Sequence, residues 1–150
     1  MYWSASHCRY DCRYHIVWIT KYRRCALNPV IQKRLQILFK DICEELHVRV
    51  IEIGMEEDHV HLYLTIPPVQ PIPYVVQILK GRTAKVIRKE FAKELQPYYW
   101  KPVLWAVGYF VATVGEITHE TIKNYVQQQG KKDIEDECSE VEGCGEATRL

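Results

Sequence analysis

The sequence lacks a long apolar run. No stretch of its 150 residues approaches the roughly 20 apolar residues that a membrane-spanning helix needs. Residues 1–14 also lack the basic-then-apolar order of a secretory signal peptide. We therefore expect a cytoplasmic protein. The six cysteines are scattered, and without a secretion signal we interpret them as reduced thiols rather than a disulfide framework.

The chain also lacks an internal repeat and a large excess of charge, since its formal net charge is +1. With 47% apolar and 26% charged residues it has the composition of an ordinary globular protein, and its length allows one domain. The charge is unevenly distributed, because residues 131–150 carry seven acids and three bases, a net −4 that leaves +5 elsewhere. We predict a domain over residues 1–130 and an acidic, flexible tail over residues 131–150.

The basic residues of the predicted domain cluster in two segments. Such clusters are typical of a surface that binds a polyanion, although a basic helix face that is merely solvated is the alternative. Trp18, Tyr22 and Trp105 are candidate stacking platforms for bases, but for the two tryptophans we favour burial in the core. The predicted contacts with such a polyanion are Arg23, Arg24, Lys80, Arg82 and Lys85.

Hydrophobic periodicity predicts the element order β-α-β-β-α-β-α. The predicted strands are Arg13–Thr20, Val48–Met55, His59–Ile66 and Leu104–Val114. The first predicted helix starts at Pro29 after an Asn28 cap. The second covers Tyr74–Leu95 with an interruption near Gly81. The third runs from a Thr118 cap to about Gln129 and is closed by Gly130. The first six elements predict a ferredoxin-like α+β fold with helices on one face of an antiparallel sheet, followed by a helix that carries Tyr125.

Two histidines share one face of a predicted strand. Side chains alternate along His59–Ile66, so the imidazoles of His59 and His61 project from the face opposite its apolar residues. Same-face neighbours lie roughly 7 Å apart, a spacing at which both rings can bind one cation. The alternative is a pair of histidines on a solvated sheet face. Asp58 and Glu56 are candidate hydrogen-bond acceptors that orient the rings, with a solvated turn as their alternative.

The last predicted helix offers the parts that a two-histidine site lacks. A catalytic divalent site needs a third ligand and, for phosphoryl transfer, an attacking oxygen. Tyr125 and Gln129 are four residues apart and share one stripe of the helix, so the phenol can attack while the amide oxygen binds the metal. An amphipathic helix whose tyrosine borders the core is the alternative.

Several motifs of the chain, taken together and in their order along it, closely resemble those of one family, the single-tyrosine HUH transposases of small bacterial and archaeal insertion sequences (TnpA type). The similarity runs from about Tyr10 to Gln129. It lies in Tyr14–Arg24, the His59–His61 triplet after Asp58, Leu79–Phe91, Leu104–Val111 and Tyr125–Gln129.

The resemblance implies that His59, His61 and Gln129 bind Mg²⁺ or Mn²⁺ and that Tyr125 is the nucleophile. It implies cleavage of single-stranded DNA at the ends of an insertion sequence, with a 5′-phosphotyrosine and a free 3′-hydroxyl that later rejoins strands. It further implies recognition of a DNA hairpin, so that the polyanion contacts predicted above become DNA contacts. It also implies a homodimer in which the tyrosine helix of one subunit completes the histidine site of the other.

The predicted metal ligands, two imidazoles and an amide, indicate which metal would bind. Mg²⁺ prefers oxygen ligands and imidazole suits Mn²⁺, so we expect Mn²⁺ to be at least as effective in vitro.

The sequence leaves two alternative functions open. One alternative is a non-catalytic relative that binds DNA hairpins without metal. Another is a cellular relative that acts on repeated palindromes.

Overall fold

A four-stranded antiparallel sheet forms the centre of the fold, described here from a computed structural model that covers residues 2–113 and 119–147. The strands are β1 Trp3–Ala5, β2 Cys8–Tyr10, β3 Arg13–Ile19, β4 Arg49–Met55, β5 His59–Thr65 and β6 Phe110–Ala112. The helices are α1 Pro29–Glu45, α2 Ile72–Glu90, α3 Ala92–Leu95 and α4 His119–Ala147, with a 3₁₀ turn at Lys21–Arg23. None of these helices, over the covered ranges, is long and apolar enough to cross a membrane.

The sheet order is β4-β5-β3-β6, and each adjacent pair is antiparallel. The predicted α+β class and antiparallel sheet are confirmed. β1 and β2 form a separate hairpin that we did not predict from the sequence. Within the sheet, Val17 of β3 lies opposite both His61 of β5 and Phe110 of β6, so these three residues share one face.

The two faces of the sheet differ because side chains alternate along each strand. One face packs against α1 and α2, and five of its residues from β3 and β5 are fully buried there: Ile16, Trp18, Val60, Leu62 and Leu64. The opposite face carries Val17 and Ile19, which pack with Val126 of α4. The main core and the α4 contact therefore lie on opposite sides of the sheet.

The first helix, α1, begins at Pro29 as predicted, whereas α2 begins at Ile72, two residues before its predicted start. Asn28 caps α1, since its Oδ1 accepts a hydrogen bond of 2.9 Å from the Ile31 amide. The predicted interruption near Gly81 is wrong. Glycine inside a helix costs only about 1 kcal/mol, and burial of Leu79 and Ile87 on one face of α2 outweighs that cost. The helix ends at Glu90, and α3 follows as a separate turn.

The last strand is much shorter than predicted. Only Phe110–Ala112 is a strand, whereas Trp105 makes a single bridge to Thr20. Gly108 lies between these two segments with φ +98, in the left-handed region, so the chain turns there instead of continuing extended. The predicted strand end at Val114 and the predicted Thr118 cap lie outside the described residues.

The final helix does not end at Gly130 as predicted; α4 continues to Ala147. Gly130 is instead a point of close approach, because a Cβ there would lie 2.8 Å from Cδ of Arg23. One turn later the Asp133 carboxylate is buried, accepting hydrogen bonds from Lys21 Nζ at 2.9 Å and from the Tyr22 amide. The division into a domain and an acidic tail stays a prediction, but its boundary falls inside a helix.

Candidate active site

His59 and His61 lie two residues apart on β5, on the sheet face that α4 covers. Both side chains are half-buried. Gly54 of β4 is the register partner of His61, and a Cβ at that glycine would lie 3.9 Å from His61 Nδ1. The missing side chain at Gly54 therefore leaves space beside one ring nitrogen of His61.

A third imidazole joins this face, and sequence reasoning missed it. His15 Nδ1 lies 3.0 Å from His61 Nε2, and the two rings are stacked with centroids 5.2 Å apart. His15 also stacks on Tyr63, whose ring is 4.1 Å away and nearly parallel. His15 is only 6% exposed. The alternation in β3 was a usable signal, but the register that brings His15 to His61 is not visible in the sequence.

The Asp58 carboxylate lies where we predicted an orienting acceptor. Its Oδ1 is 2.8 Å from His59 Nδ1, and its Oδ2 accepts from Arg23 Nε at 3.0 Å. The hydrogen bond with His59 and then the pairing with Arg23 lower the pKa of Asp58. The carboxylate thus fixes the ring of His59. Glu56 is exposed, and over the described ranges its carboxylate makes no hydrogen bond to either histidine.

Tyr125 approaches the same face from α4. Its ring packs against Phe110 with centroids 5.7 Å apart, and Phe110 and His61 lie on either side of Val17 in the sheet. The hydroxyl of Tyr125 is buried and has no hydrogen-bond partner among the residues described. Burial raises the pKa of Tyr125 to about 12. In this position the phenol is protonated and shielded, so it is not ready to act as a nucleophile.

Gln129, the predicted third ligand, is engaged with the loop before β6. Its Nε2 donates to the Val107 carbonyl at 3.1 Å. Within residues 2–113 and 119–147, no three His, Cys, Asp or Glu side chains are placed to hold one metal ion. The sequence predicts a third ligand of another type, the side-chain amide of Gln129.

The predicted DNA contacts divide into surface and internal side chains. Arg23, Arg24 and Lys85 are exposed, although Arg23 also pairs with Asp58. Arg82 forms a surface ion pair with Glu45. These positions leave the DNA contacts as predictions.

Lys80 differs from the other predicted contacts because it points inward. Its Nζ donates to the carbonyls of Ala106 at 2.7 Å and Gly108 at 2.9 Å. Burial lowers the pKa of Lys80 to about 8. The side chain thus holds the loop that Gln129 contacts from the other side.

Neither candidate tryptophan platform is open. Trp18 is fully buried and Trp105 is 8% exposed, which confirms the core interpretation for both. Tyr22 is also buried, at 7% exposed. The exposed tryptophan is Trp100, which we did not single out from the sequence.

Comparison with known proteins decides the family. The profile of the family described as "Transposase IS200 like" matches residues 8–129. The chain belongs to the IS200-like transposases. The resemblance inferred from the motifs is confirmed, and transposase function follows from it.

This transposase has close similarity to curated relatives. It is 33% identical over 130 residues to the transposase for insertion sequence element IS200 of Salmonella typhimurium, covering 87% of this chain and 84% of the relative. It is also 33% identical over 124 residues to the ISDra2 transposase TnpA of Deinococcus radiodurans, covering 83% and 88%.

Solved structures agree with the fold of the transposase. A crystal structure of a candidate transposase from Deinococcus radiodurans R1 matches with a TM-score of 0.76 and 32% identity, over 86% of this chain and 98% of that one. A REP-associated tyrosine transposase bound to a REP hairpin matches with a TM-score of 0.54 and 9% identity, over 77% and 62%. The second likeness concerns the fold alone.

Proposed function

We propose that this transposase cuts and rejoins single-stranded DNA at the ends of an insertion sequence, with Tyr125 as the nucleophile and a 5′-phosphotyrosine intermediate. Family membership supplies transposase function. One arrangement supports the mechanism: α4, which bears Tyr125, packs on the sheet face that bears His59 and His61.

The residues on this face fit a divalent ion. His59 and His61 would hold Mg²⁺ or Mn²⁺ with Gln129, and their nitrogen donors favour Mn²⁺. Asp58 at His59 and His15 at His61 are the hydrogen-bond partners that commonly orient histidine ligands. When bound, the ion polarises the scissile phosphate and offsets the negative charge that develops on it.

The reaction assigned to Tyr125 replaces one phosphodiester by another, the phosphotyrosine linkage. Its oxygen bonds to phosphorus as the bond to the 3′ oxygen breaks, the phenol proton is lost, and the leaving strand gains a 3′-hydroxyl. A 3′-hydroxyl then attacks the phosphotyrosine, restores a phosphodiester and returns the phenol. Because the Tyr125 hydroxyl is buried with a raised pKa, α4 must shift before the first step.

We further propose a hairpin-forming DNA partner and a homodimer in which α4 of one subunit completes the histidine site of the other. The REP-associated transposase with this fold was solved bound to a REP hairpin. Exposed Arg23, Arg24 and Lys85 supply positive charge for DNA. Movement of α4 onto a second subunit would also release Tyr125 from the shielded position it has in its own chain.

Detection of a covalent protein-DNA adduct tests this proposal. Purified transposase is mixed with Mn²⁺ and single-stranded oligonucleotides that span the ends of the DNA element encoding it, and the products are run on a denaturing gel. We expect a protein-DNA adduct that is absent in Tyr125→Phe and present in Tyr98→Phe, a matched change of an exposed tyrosine. An adduct that persists in Tyr125→Phe refutes the assigned nucleophile.

A cellular relative that acts on repeated palindromes would share the proposed chemistry and differ in its DNA substrate. A second candidate function is hairpin binding without catalysis. Two observations favour the non-catalytic function: the Tyr125 hydroxyl is buried without a hydrogen-bond partner among the residues described, and the Gln129 amide is bound to the Val107 carbonyl. It predicts metal-independent hairpin binding and no adduct from any strand, so the same gel separates the two functions.

A further inference from the structure

Trp100 has an unusual position for a tryptophan. It follows α3 and its side chain is 84% exposed, whereas Trp18 and Trp105 are buried in the core. Indole rings contribute most when they are removed from water, so a nearly bare ring on a folded surface is a candidate contact for a partner. At this exposure Trp100 adds little to the core, and it is not one of the residues assigned to the proposed catalytic site.

One cation, Lys101, lies beside this ring, and it also approaches the ring of Tyr22, where two further cations lie. Lys101 Nζ lies 5.4 Å from the centroid of Trp100 and 5.6 Å from that of Tyr22. Arg24 and Lys21 also lie near the Tyr22 ring, at 5.8 Å and 5.0 Å. Lys21 is balanced by Asp133, but no carboxylate within the described ranges forms an ion pair with Arg24. An aromatic face and positive charge thus occur together.

The segment that carries Trp100 is anchored at two points. Tyr99 donates from its hydroxyl to the Lys21 carbonyl at 2.9 Å, which ties the segment to the 3₁₀ turn. Arg88 donates to the Pro102 carbonyl at 2.7 Å, which ties it to α2. Trp100 and Lys101 also line a hollow of about 250 Å³. A ring held on an anchored loop loses less entropy on binding than one on a free loop.

The surface is connected to the candidate active site through the 3₁₀ turn. Tyr99 contacts this turn at Lys21, and Arg23 at its other end pairs with Asp58, which holds His59. The 3₁₀ turn thus links the segment that carries Trp100 to Asp58 and, through it, to His59.

We propose that Trp100, Lys101 and Arg24 form a contact surface for single-stranded DNA, in which the indole stacks on an unpaired base and the two cations bind neighbouring phosphates. Stacking on aromatic rings beside positive charge is how proteins bind single strands without reading sequence. This inference rests on the proposed function and names where its substrate lies. A second copy of the chain is a poorer occupant, because a symmetric contact would bring the same cations together.

Tryptophan fluorescence tests the stacking directly. Of the four tryptophans, two are buried and Trp3 is partly exposed, so Trp3→Phe leaves Trp100 as the main accessible reporter. Titration of this variant with oligo(dT) should quench the emission, and the quenching should disappear in Trp3→Phe/Trp100→Phe. Equal quenching in both proteins overturns the proposal.

Affinity and its salt dependence test the energetics. We expect Trp100→Ala to weaken oligo(dT) binding about 5- to 150-fold, and Tyr74→Ala, which removes an exposed aromatic ring from α2, to leave binding unchanged. Lys101→Ala and Arg24→Ala should each reduce the salt slope of log K by about 0.7. Unchanged affinity in Trp100→Ala, or a loss of dimer mass with DNA affinity intact, contradicts the DNA assignment.

The outcome is separable from that of the proposed function. Trp100 quenching in Tyr125→Phe, together with an adduct in the parent protein, supports both. Quenching without any adduct supports this surface and removes the catalytic mechanism, whereas an adduct without quenching removes this surface alone.

Discussion

His15 Nδ1 lies 3.0 Å from His61 Nε2, across the register of two neighbouring strands. The contact is enclosed, because His15 is 6% exposed and stacks on Tyr63 on its other side. A ring that is bonded and stacked in this way has one orientation, and it transmits that orientation to His61. His15 is therefore a positioning residue for the predicted metal site, not one of its ligands.

We predict that His15→Phe weakens Mn²⁺ binding about 10- to 100-fold in the absence of DNA, because the new ring keeps the stack on Tyr63 but loses the hydrogen bond to His61. Mn²⁺ titration followed by electron paramagnetic resonance measures the affinity directly. His15→Asn, which restores a side chain able to hydrogen-bond, should recover part of it. If His15→Phe binds Mn²⁺ as tightly as the parent does, the positioning role is wrong.

The free energy of unfolding should change in opposite directions when one or the other of two buried tyrosines loses its hydroxyl. Tyr125 has a buried hydroxyl without a partner in the described part of the chain, so Tyr125→Phe should raise the free energy of unfolding by about 1 kcal/mol. Tyr99 donates to the Lys21 carbonyl, so Tyr99→Phe should lower it by about 1 kcal/mol. Urea unfolding of both variants at neutral pH is the measurement. A clear loss of stability in Tyr125→Phe would show that the hydroxyl is bonded in solution.

Lys80 should make stability depend on pH above neutrality. The buried ammonium has a pKa of about 8 in the folded chain against an ordinary value of 10.5. Between these values the unfolded chain binds the extra proton, so stability should rise as the pH rises from about 8 to about 10.5. Urea unfolding of the parent and of Lys80→Met isolates this contribution, because the other titrating groups are common to both. A difference between the two proteins that does not change with pH contradicts the assignment.

Much of this architecture can be predicted from local patterns. Alternation along β5 places His59 and His61 on one face, and the Asn28-Pro29 pair marks the start of α1, because both depend on near neighbours in the chain. The contact of His15 with His61 depends on the pairing register of β3 and β5, which local pattern does not determine.

The predicted end of the last helix failed for a related reason. Gly130 has the chemistry of a helix terminator, but in the fold it allows close approach to Arg23. The buried pairing of Asp133 with the 3₁₀ turn then supports the following turn of α4. Those partners lie more than 100 residues away along the chain, so composition alone indicated only an acidic segment.

The Asp133 contact should control how firmly α4 docks. Its carboxylate is 4% exposed and pairs with Lys21 while also accepting from the Tyr22 amide. Asp133→Ala leaves the Lys21 ammonium and that amide without their partner, so we expect a loss of about 3 kcal/mol in the free energy of unfolding. The matched change in an exposed ion pair, Glu45→Gln opposite Arg82, should have a much smaller effect.

The double-mutant cycle with Lys21→Met separates the ion pair from the amide contact. If the pair contributes to docking, the loss in Asp133→Ala/Lys21→Met should be smaller than the sum of the single losses, since removing both charges leaves no buried cation unpaired. Asp133→Asn should retain part of the stability, because its amide oxygen still accepts from Tyr22. Additive losses would assign the effect of Asp133→Ala to the Tyr22 amide contact and not to the ion pair, and an Asp133→Ala variant as stable as the parent would mean that α4 docks through its other contacts, among them those with Val17 and Ile19. In that last case the docking of α4 would not depend on Asp133.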